Sequence, residues 1–124
     1  MSTILIVEDN DKNLKLVRDT LQGNGYETLE AGTAEAGIEL AAAKHPDLVL
    51  MDIRLPGMNG IEALRVLRAD PKTAGIPVIA VTASVMSGDL GRIRDAGFDG
   101  FVAKPIRYAS FLNAVRSVIE RTGT

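Results

Sequence analysis

Short apolar runs recur along the chain, and each is followed by a polar loop and then by a segment of helical periodicity. Four runs lack a clean apolar–polar alternation, which is typical of parallel strands buried on both faces. These runs are Ile4–Val7, Leu48–Met51, Val78–Val81 and Phe101–Ala103. The more polar segment Tyr26–Ala31 predicts an edge strand.

Three helices are predicted in the first part of the chain. Leu14, Val17 and Leu21 form a stripe that ends near the stop signals Gly23 and Gly25. Thr33 is expected to cap a second helix over Ala34–Lys44, which stops before Pro46. Asn59 and Glu62 resemble a capping box of a third helix. The apolar face of that helix consists of Ile61, Leu64 and Leu67.

Two further helices follow. The fourth is predicted within Met86–Ala96, closing at Gly97, and we expect it to be the least stable because it contains Gly88 and Gly91 and few large apolar residues. The fifth runs from about Tyr108 to Arg121. Its apolar face consists of Phe111, Leu112, Val115, Val118 and Ile119.

Five strands alternating with five helices predict an α/β fold, a flavodoxin-like doubly wound five-stranded parallel sheet with strand order 2-1-3-4-5. Ligands of such sheets bind beyond the carboxyl ends of the strands, at the topological switch point. The residues that follow the predicted strands are therefore the candidates for a functional site.

Polar side chains stand at four of these strand ends: Glu8 and Asp9, Asp52, Thr82, and Lys104 before Pro105. Three carboxylates in one cleft repel one another, and a hard divalent cation relieves that repulsion. Oxygen ligands favour Mg²⁺ over zinc. The sequence therefore predicts a magnesium site at this edge.

The same residues suggest phosphoryl transfer. Asp52, on the central strand, is the carboxylate best placed to attack phosphorus and form an aspartyl phosphate. Mg²⁺ and Lys104 would offset charge on the phosphoryl oxygens, and the Thr82 hydroxyl could donate a hydrogen bond to one of them.

Each residue also has a plainer interpretation. Asp52 could be a loop or capping residue, and Glu8-Asp9-Asn10 could simply cap the first helix. Lys104 could be a solvated rim charge and Thr82 a strand former. Convergence on one edge of one sheet favours the functional interpretation. The only histidine, His45, falls at a helix terminus on the opposite edge and is interpreted as structural.

Composition limits the alternatives. The length of 124 residues predicts one domain spanning 1–124. The net charge of −2 provides no excess of positive charge with which to bind a nucleic-acid backbone. Cysteine is absent, which excludes disulfides and thiolate chemistry and fits a cytoplasmic location. The amino-terminal sequence shows no signal peptide or membrane span.

Several segments resemble the receiver (CheY-like) domain of bacterial two-component response regulators. They are Ile4–Asn10, the long run Pro46–Gly60, Val81–Ala83 and Lys104-Pro105. Their order and spacing along the whole chain make the resemblance specific. Within the family, residues 8–10, Asn13, residues 15–16 and residues 25–27 look like stand-alone regulators of the DivK type and receivers attached to hybrid kinases.

The resemblance implies a role for each matching residue. Asp52 matches the phosphoacceptor, and Glu8 and Asp9 match the acidic pair that holds Mg²⁺ together with Asp52 and the backbone carbonyl of Arg54. Thr82 matches the switch hydroxyl and Lys104 the phosphate-binding lysine, with Lys104-Pro105 as a cis peptide. Phe101 takes the place of the switch aromatic without a hydroxyl, and it could equally be part of the core.

The resemblance also implies a phosphorelay. A histidine kinase or histidine phosphotransfer protein would donate the phosphoryl group, and a downstream protein would bind the fourth helix, fifth strand and fifth helix, roughly Ser84 to Arg121. Arg54 and Ser84 are expected to tune the phosphate lifetime. We expect a monomer or weak dimer, without nucleic acid, membrane or an output segment after the last helix.

Two rival classes remain. The first is a phosphorylation-independent receiver-fold binding module, against which the complete set of site residues counts. The second is an enzyme. A nucleotide-binding enzyme would require a glycine-rich loop after the first strand, but Glu8-Asp9 occupies that position. A phosphatase that forms an aspartyl phosphate would require a second aspartate two residues after the first, but Arg54 occupies that position.

Overall fold

The computed structural model describes residues 2–82 and 89–122 of the chain. Five strands and five helices alternate along these residues. The strands are β1 (Thr3–Val7), β2 (Glu27–Ala31), β3 (Leu48–Asp52), β4 (Val78–Thr82) and β5 (Gly100–Ala103). The helices are α1 (Asp11–Gly23), α2 (Ala34–Lys44), α3 (Gly60–Ala69), α4 (Asp89–Ala96) and α5 (Tyr108–Thr122).

All strand pairs are parallel, and the order in the sheet is β2-β1-β3-β4-β5. The predicted fold class is confirmed. Because β1 and β3 are neighbours although β2 lies between them in sequence, the switch point falls between β1 and β3. The carboxyl ends of these two central strands therefore face the same crevice.

The sheet separates two apolar clusters. On one face, Leu5, Val49 and Met51 pack with residues of α2 and α3, including Ala41 and Leu64. On the other face, Ile4, Ile6 and Leu50 pack with residues of α1 and α5, including Leu21 and Phe111. Side chains of β1 and β3 thus alternate between two covered faces, and no residue from Ile4 to Val7 exceeds 2 % exposure.

Local signals fix several helix ends. Asn10 caps α1 by accepting a hydrogen bond from the Asn13 N–H, and Thr33 caps α2 by accepting one from the Ala36 N–H. The capping box of α3 is formed by Asn59 and Glu62. His45, with φ 49°, closes α2 in the left-handed conformation, consistent with a structural role.

Two expectations need correction. The last strand does not have the buried character of β1, β3 and β4, because β5 lies at the edge of the sheet and only Val102 among its residues is buried. Phe101 is 44 % exposed, so the interpretation of this ring as core is wrong. The start of the predicted fourth helix, Met86 to Gly88, lies outside the described residues.

An arginine joins α3 to the beginning of β5. The Arg68 guanidinium donates to the carbonyl oxygens of Ala74 (3.1 Å) and Ile76 (2.6 Å) and to Asp99 Oδ2 (2.9 Å). Asp99 Oδ2 also accepts from the Val78 N–H at 2.8 Å. These bonds hold the start of β5 against the start of β4, and β5 leads directly to Lys104.

The described helices include none that is long and apolar enough to cross a membrane.

A glycine sets the distance between α3 and the end of β3. A Cβ on Gly60 would lie 2.6 Å from the Asp52 carbonyl oxygen and 2.9 Å from the Ile53 Cα, whereas one on Gly23 would meet nothing within 4 Å. We expect Gly60→Ala to lower the free energy of unfolding by about 1–3 kcal/mol, because the obstructing atoms are backbone. The control Gly23→Ala, in α1, should leave it unchanged or raise it by up to about 1 kcal/mol. Urea denaturation of both variants tests this; equal effects would contradict it.

Candidate functional site

The predicted site residues lie at the carboxyl ends of four strands. Glu8 and Asp9 follow β1, Asp52 ends β3, Thr82 ends β4, and Lys104 follows β5. Parallel pairing aligns these ends: Asp52 is opposite Val81, and Thr82 is opposite Ala103. The Lys104 N–H donates to the Thr82 carbonyl at 2.8 Å, which continues the ladder past β5 and brings the lysine over the crevice.

Three carboxylates meet in this crevice. One oxygen each from Glu8, Asp9 and Asp52 lie within 4.8 Å of one another. Glu8 and Asp52 are both only 4 % exposed, whereas Asp9 is exposed and reaches the cluster from the solvent side. The donors are all hard oxygens, and one side of the cluster is open to water, so these residues fit Mg²⁺.

The Lys104 ammonium lies between the two buried carboxylates. Its Nζ is 3.0 Å from Glu8 Oε1 and 3.0 Å from Asp52 Oδ2. The lysine side chain is 18 % exposed. The interpretation of Lys104 as a solvated rim charge is therefore wrong, because a buried pair of carboxylates needs this counter-charge.

Backbone N–H groups hold the other carboxylate oxygens. The Arg54 N–H donates to Asp52 Oδ1 at 3.0 Å, and the Asn10 N–H donates to Glu8 Oε2 at 3.3 Å. Each N–H belongs to the residue two positions further along, where the chain turns away from the strand. The loops after β1 and β3 thereby fix the orientation of both side chains.

The surroundings shift two ionisation equilibria. Burial, together with hydrogen bonding to Asp52, raises the pKa of Glu8 to about 7, and the nearby Lys104 only partly opposes this. Burial alone would lower the pKa of Lys104, but the hydrogen bonds and charges of Asp52 and Glu8 raise it above its usual value. The lysine is therefore cationic at neutral pH, while Glu8 exchanges its proton near neutrality.

The remaining candidates lie around this centre. Thr82 is buried at 3 % exposure. Arg54 is exposed, and its proposed role as a carbonyl ligand stays a prediction. Phe101 lies three residues before Lys104 on the outer edge of the sheet, and the cis peptide at Lys104-Pro105 is present as expected. Ser84 lies outside the described residues.

The sequence interpretation missed the contribution of Gly60. Its N–H donates to the Ile53 carbonyl at 3.0 Å, and the missing side chain lets α3 begin against the Asp52 backbone. A glycine at the first position of a capped helix, shortly after a strand-end aspartate, is the signal that could have indicated this contact.

Residues 4–116 match the family described as the response regulator receiver domain. The chain belongs to this family. Receiver domains of response regulators are signalling modules of two-component systems, and the resemblance noted in the sequence is confirmed.

Individual receivers support the assignment. The chain is 43 % identical over 117 residues to the polar-differentiation response regulator DivK of Brucella ovis, with 94 % of this chain and 95 % of that protein aligned. The receiver domain of a Pseudomonas aeruginosa sensor histidine kinase, solved with a magnesium ion coordinated in its active-site cleft, superposes with a TM-score of 0.89. That domain is 31 % identical, and the match covers 96 % of this chain and 98 % of that one.

A second solved structure has a similar fold but a lower sequence identity. A putative response regulator from Chloroflexus aurantiacus gives a TM-score of 0.92 at 28 % identity, covering 97 % of this chain and 98 % of that one. The five-stranded fold of the receiver is thus shared by proteins whose sequences have diverged widely.

The position of Glu8 predicts how Mg²⁺ binding depends on pH. A carboxyl with a pKa of about 7 is mostly protonated at pH 6 and mostly ionised at pH 8. Since only the carboxylate binds a metal, the Mg²⁺ affinity should rise about tenfold over this interval. Titration calorimetry at both pH values measures the change. In Glu8→Gln the dependence should be lost, and a tenfold rise that persists in this variant would contradict the assignment to Glu8.

Proposed function

We propose that this receiver accepts a phosphoryl group on Asp52, with Mg²⁺ as cofactor, and passes the signal on by changing the surface it offers to a partner protein. The donor is the phosphohistidine of a histidine kinase or of a histidine phosphotransfer protein. The function is that of a switch, since the chain catalyses only its own phosphorylation and dephosphorylation.

One observation supports the choice of Asp52 above all others. Its carboxylate ends the central strand β3, is almost fully buried, and is held at one oxygen by a backbone N–H and at the other by the Lys104 ammonium. Glu8 also contacts Lys104, but it follows β1, and because its pKa is raised to about 7 a large share of it is protonated, and so not nucleophilic, at neutral pH. Asp9 is exposed, as a metal ligand on the solvent side can be.

The transfer is a substitution at phosphorus. A carboxylate oxygen of Asp52 forms the new P–O bond while the P–N bond to the donor imidazole breaks, and the electron pair returns to that nitrogen. No base is needed, because the ionised carboxylate is already a nucleophile. Catalysis therefore consists mainly of positioning and of charge compensation.

The site residues divide this work. Mg²⁺, held by Glu8, Asp9, Asp52 and the Arg54 carbonyl, would supply positive charge next to the phosphoryl oxygens. Lys104 would offset charge on another of these oxygens, and Thr82 would donate a hydrogen bond from the end of β4.

Intact-mass spectrometry after incubation with acetyl phosphate and Mg²⁺ tests the acceptor. We expect the protein to gain the mass of one phosphoryl group, and Asp52→Asn to gain none, because the amide is not a nucleophile. The control Asp95→Asn removes an exposed carboxylate of α4 and should be modified like the unchanged protein. Omission of Mg²⁺ should abolish the gain.

The alternative function predicts a different result. If no mass is gained under conditions that modify another receiver, the chain is a phosphorylation-independent binding module, and partner capture becomes the informative experiment. Modification of Asp52→Asn at the normal rate would place the acceptor elsewhere.

The proposed switch runs along β4 and β5. Thr82 and Lys104 would bind the phosphoryl oxygens, and the ring of Phe101, which is now half exposed, would turn inward. An open groove of about 410 Å³ lies beside this strand and is lined by Phe101, Lys104 and Arg107 among others. We propose that the partner protein binds α4, β5 and α5.

Hydrogen exchange tests the switch. Phosphorylation should change the protection of amides in β5 and at the start of α5 at least about threefold, because these segments adjoin the new phosphate. Helix α2 serves as the internal control, because β5 and α2 lie on opposite sides of the topological switch point between β1 and β3. Identical exchange in β5 and α5 with and without phosphate would contradict the proposed switch.

We further propose that the protein acts in the cytoplasm as a monomer or weak dimer. The domain is proposed to span residues 1–124.

A further inference from the structure

The two edge strands of the sheet differ in charge. At one edge, β2 exposes Glu27 and Glu30, and charged side chains on an edge strand disfavour pairing with another chain. At the other edge, β5 consists of Gly-Phe-Val-Ala, with neither a charge nor a proline. Of the two edges, that of β5 is therefore the better suited to accept a further strand.

The outer edge of β5 combines backbone hydrogen-bonding groups with an apolar ring. The Lys104 N–H donates to the Thr82 carbonyl on β4, and successive N–H groups along a strand point to alternate sides. The N–H groups of Phe101 and Ala103 therefore point away from β4, and the described residues place no strand on that side. Both residues are exposed, whereas Val102 between them is buried.

The charges along the groove beside β5 indicate what an added strand would carry. The described lining of this groove contains two cations, Lys104 and Arg107, and no acidic residue. Lys104 is held by the buried carboxylates of the site. Arg107 is exposed just before α5, and no carboxylate among the described residues pairs with its guanidinium. A segment with acidic side chains would supply this counter-charge.

A second copy of this chain fits the same edge less well. If two copies paired through β5, neither strand would bring an acidic residue to the other, since Gly100–Ala103 contains none. The nearby carboxylate of Asp99 is already bonded to Arg68 and to the Val78 N–H. The charge of Arg107 therefore favours an acidic partner segment over a second copy.

We propose that the partner protein contributes an extended acidic segment that pairs with the outer edge of β5 as an additional strand, an inference that rests on the proposed function. Acidic and apolar side chains alternate along this segment. The apolar set packs on Phe101, and the acidic set faces Arg107. Hydrogen bonds to the β5 backbone supply affinity, and the alternation of side chains supplies specificity.

A synthetic peptide of alternating glutamate and valine, blocked at both ends, tests the charge requirement by titration of the isotope-labelled protein in NMR. Arg107→Glu should weaken its binding at least about tenfold. The same variant should bind a lysine–valine peptide more tightly than the unchanged protein does. Since an acidic side chain is favourable near a helix amino terminus, we expect this variant to fold.

The matched control is Arg116→Glu. It makes the same change of charge at an exposed position of α5 that does not line the groove beside β5. Because solvent and salt screen a distant exposed charge, the dissociation constant of the glutamate–valine peptide should change less than about threefold. Equal weakening by Arg107→Glu and Arg116→Glu would show a general effect of charge and would overturn the proposal.

Hydrogen exchange in the peptide complex tests the backbone pairing. With the unchanged protein saturated, exchange of the Phe101 and Ala103 N–H groups should slow at least about fivefold, because both become hydrogen-bonded. The Val102 N–H, which already faces β4, serves as the internal control. A peptide that binds without slowing these two amides is held by its side chains alone, and that result would overturn the strand addition.

Measurements with and without phosphorylation of Asp52 separate this inference from the proposed function. If the phosphoprotein forms and the peptide binds in neither state, only the strand addition is overturned. Equal binding in both states would support the strand addition and contradict the proposed switch. Should sedimentation show a dimer in which the Phe101 and Ala103 amides are already protected, a second copy occupies the edge and the proposal is overturned.

Discussion

One ammonium group shared by two buried carboxylates is the interaction on which the site depends. Glu8 and Asp52 are nearly inaccessible to water, and without Lys104 their charges would repel each other in a medium of low polarity. The three residues come from three different strand ends. A parallel sheet with β1 and β3 side by side brings them together. The same ion pairs between Lys104 and the two carboxylates therefore stabilise the strand ends and form the site.

Local signals in the sequence were sufficient for most of the fold. The bounds of α2 agree with the prediction because Thr33 caps its start and a proline follows its end. The burial of β5 could not be predicted in the same way, because an apolar run of three residues looks the same at the centre and at the edge of a sheet. Whether Phe101 is buried depends on neighbouring elements that the run itself does not encode.

The residues of the site could be predicted from the sequence, but most of the contacts between them could not. The ends of parallel strands must meet, so Glu8, Asp52 and Lys104 could be brought together from sequence alone. The double pairing of Lys104 could not, because a long flexible side chain can reach several partners. The close approach of Gly60 to the β3 backbone and the bonds from Arg68 to Asp99 likewise depend on distances set by the packed structure.

Chemical trapping of the phosphorylated side chain identifies the acceptor residue. Borohydride reduces an acyl phosphate to an alcohol, so after phosphorylation Asp52 should become homoserine, identified by peptide mass spectrometry. Homoserine is expected at position 52 in the phosphorylated sample, and none is expected in a sample without donor. An acyl phosphate on Glu8 would instead give 5-hydroxynorvaline at position 8, and one on Asp9 would give homoserine at position 9; a product at either position, and none at position 52, would contradict the assignment of Asp52 as the acceptor.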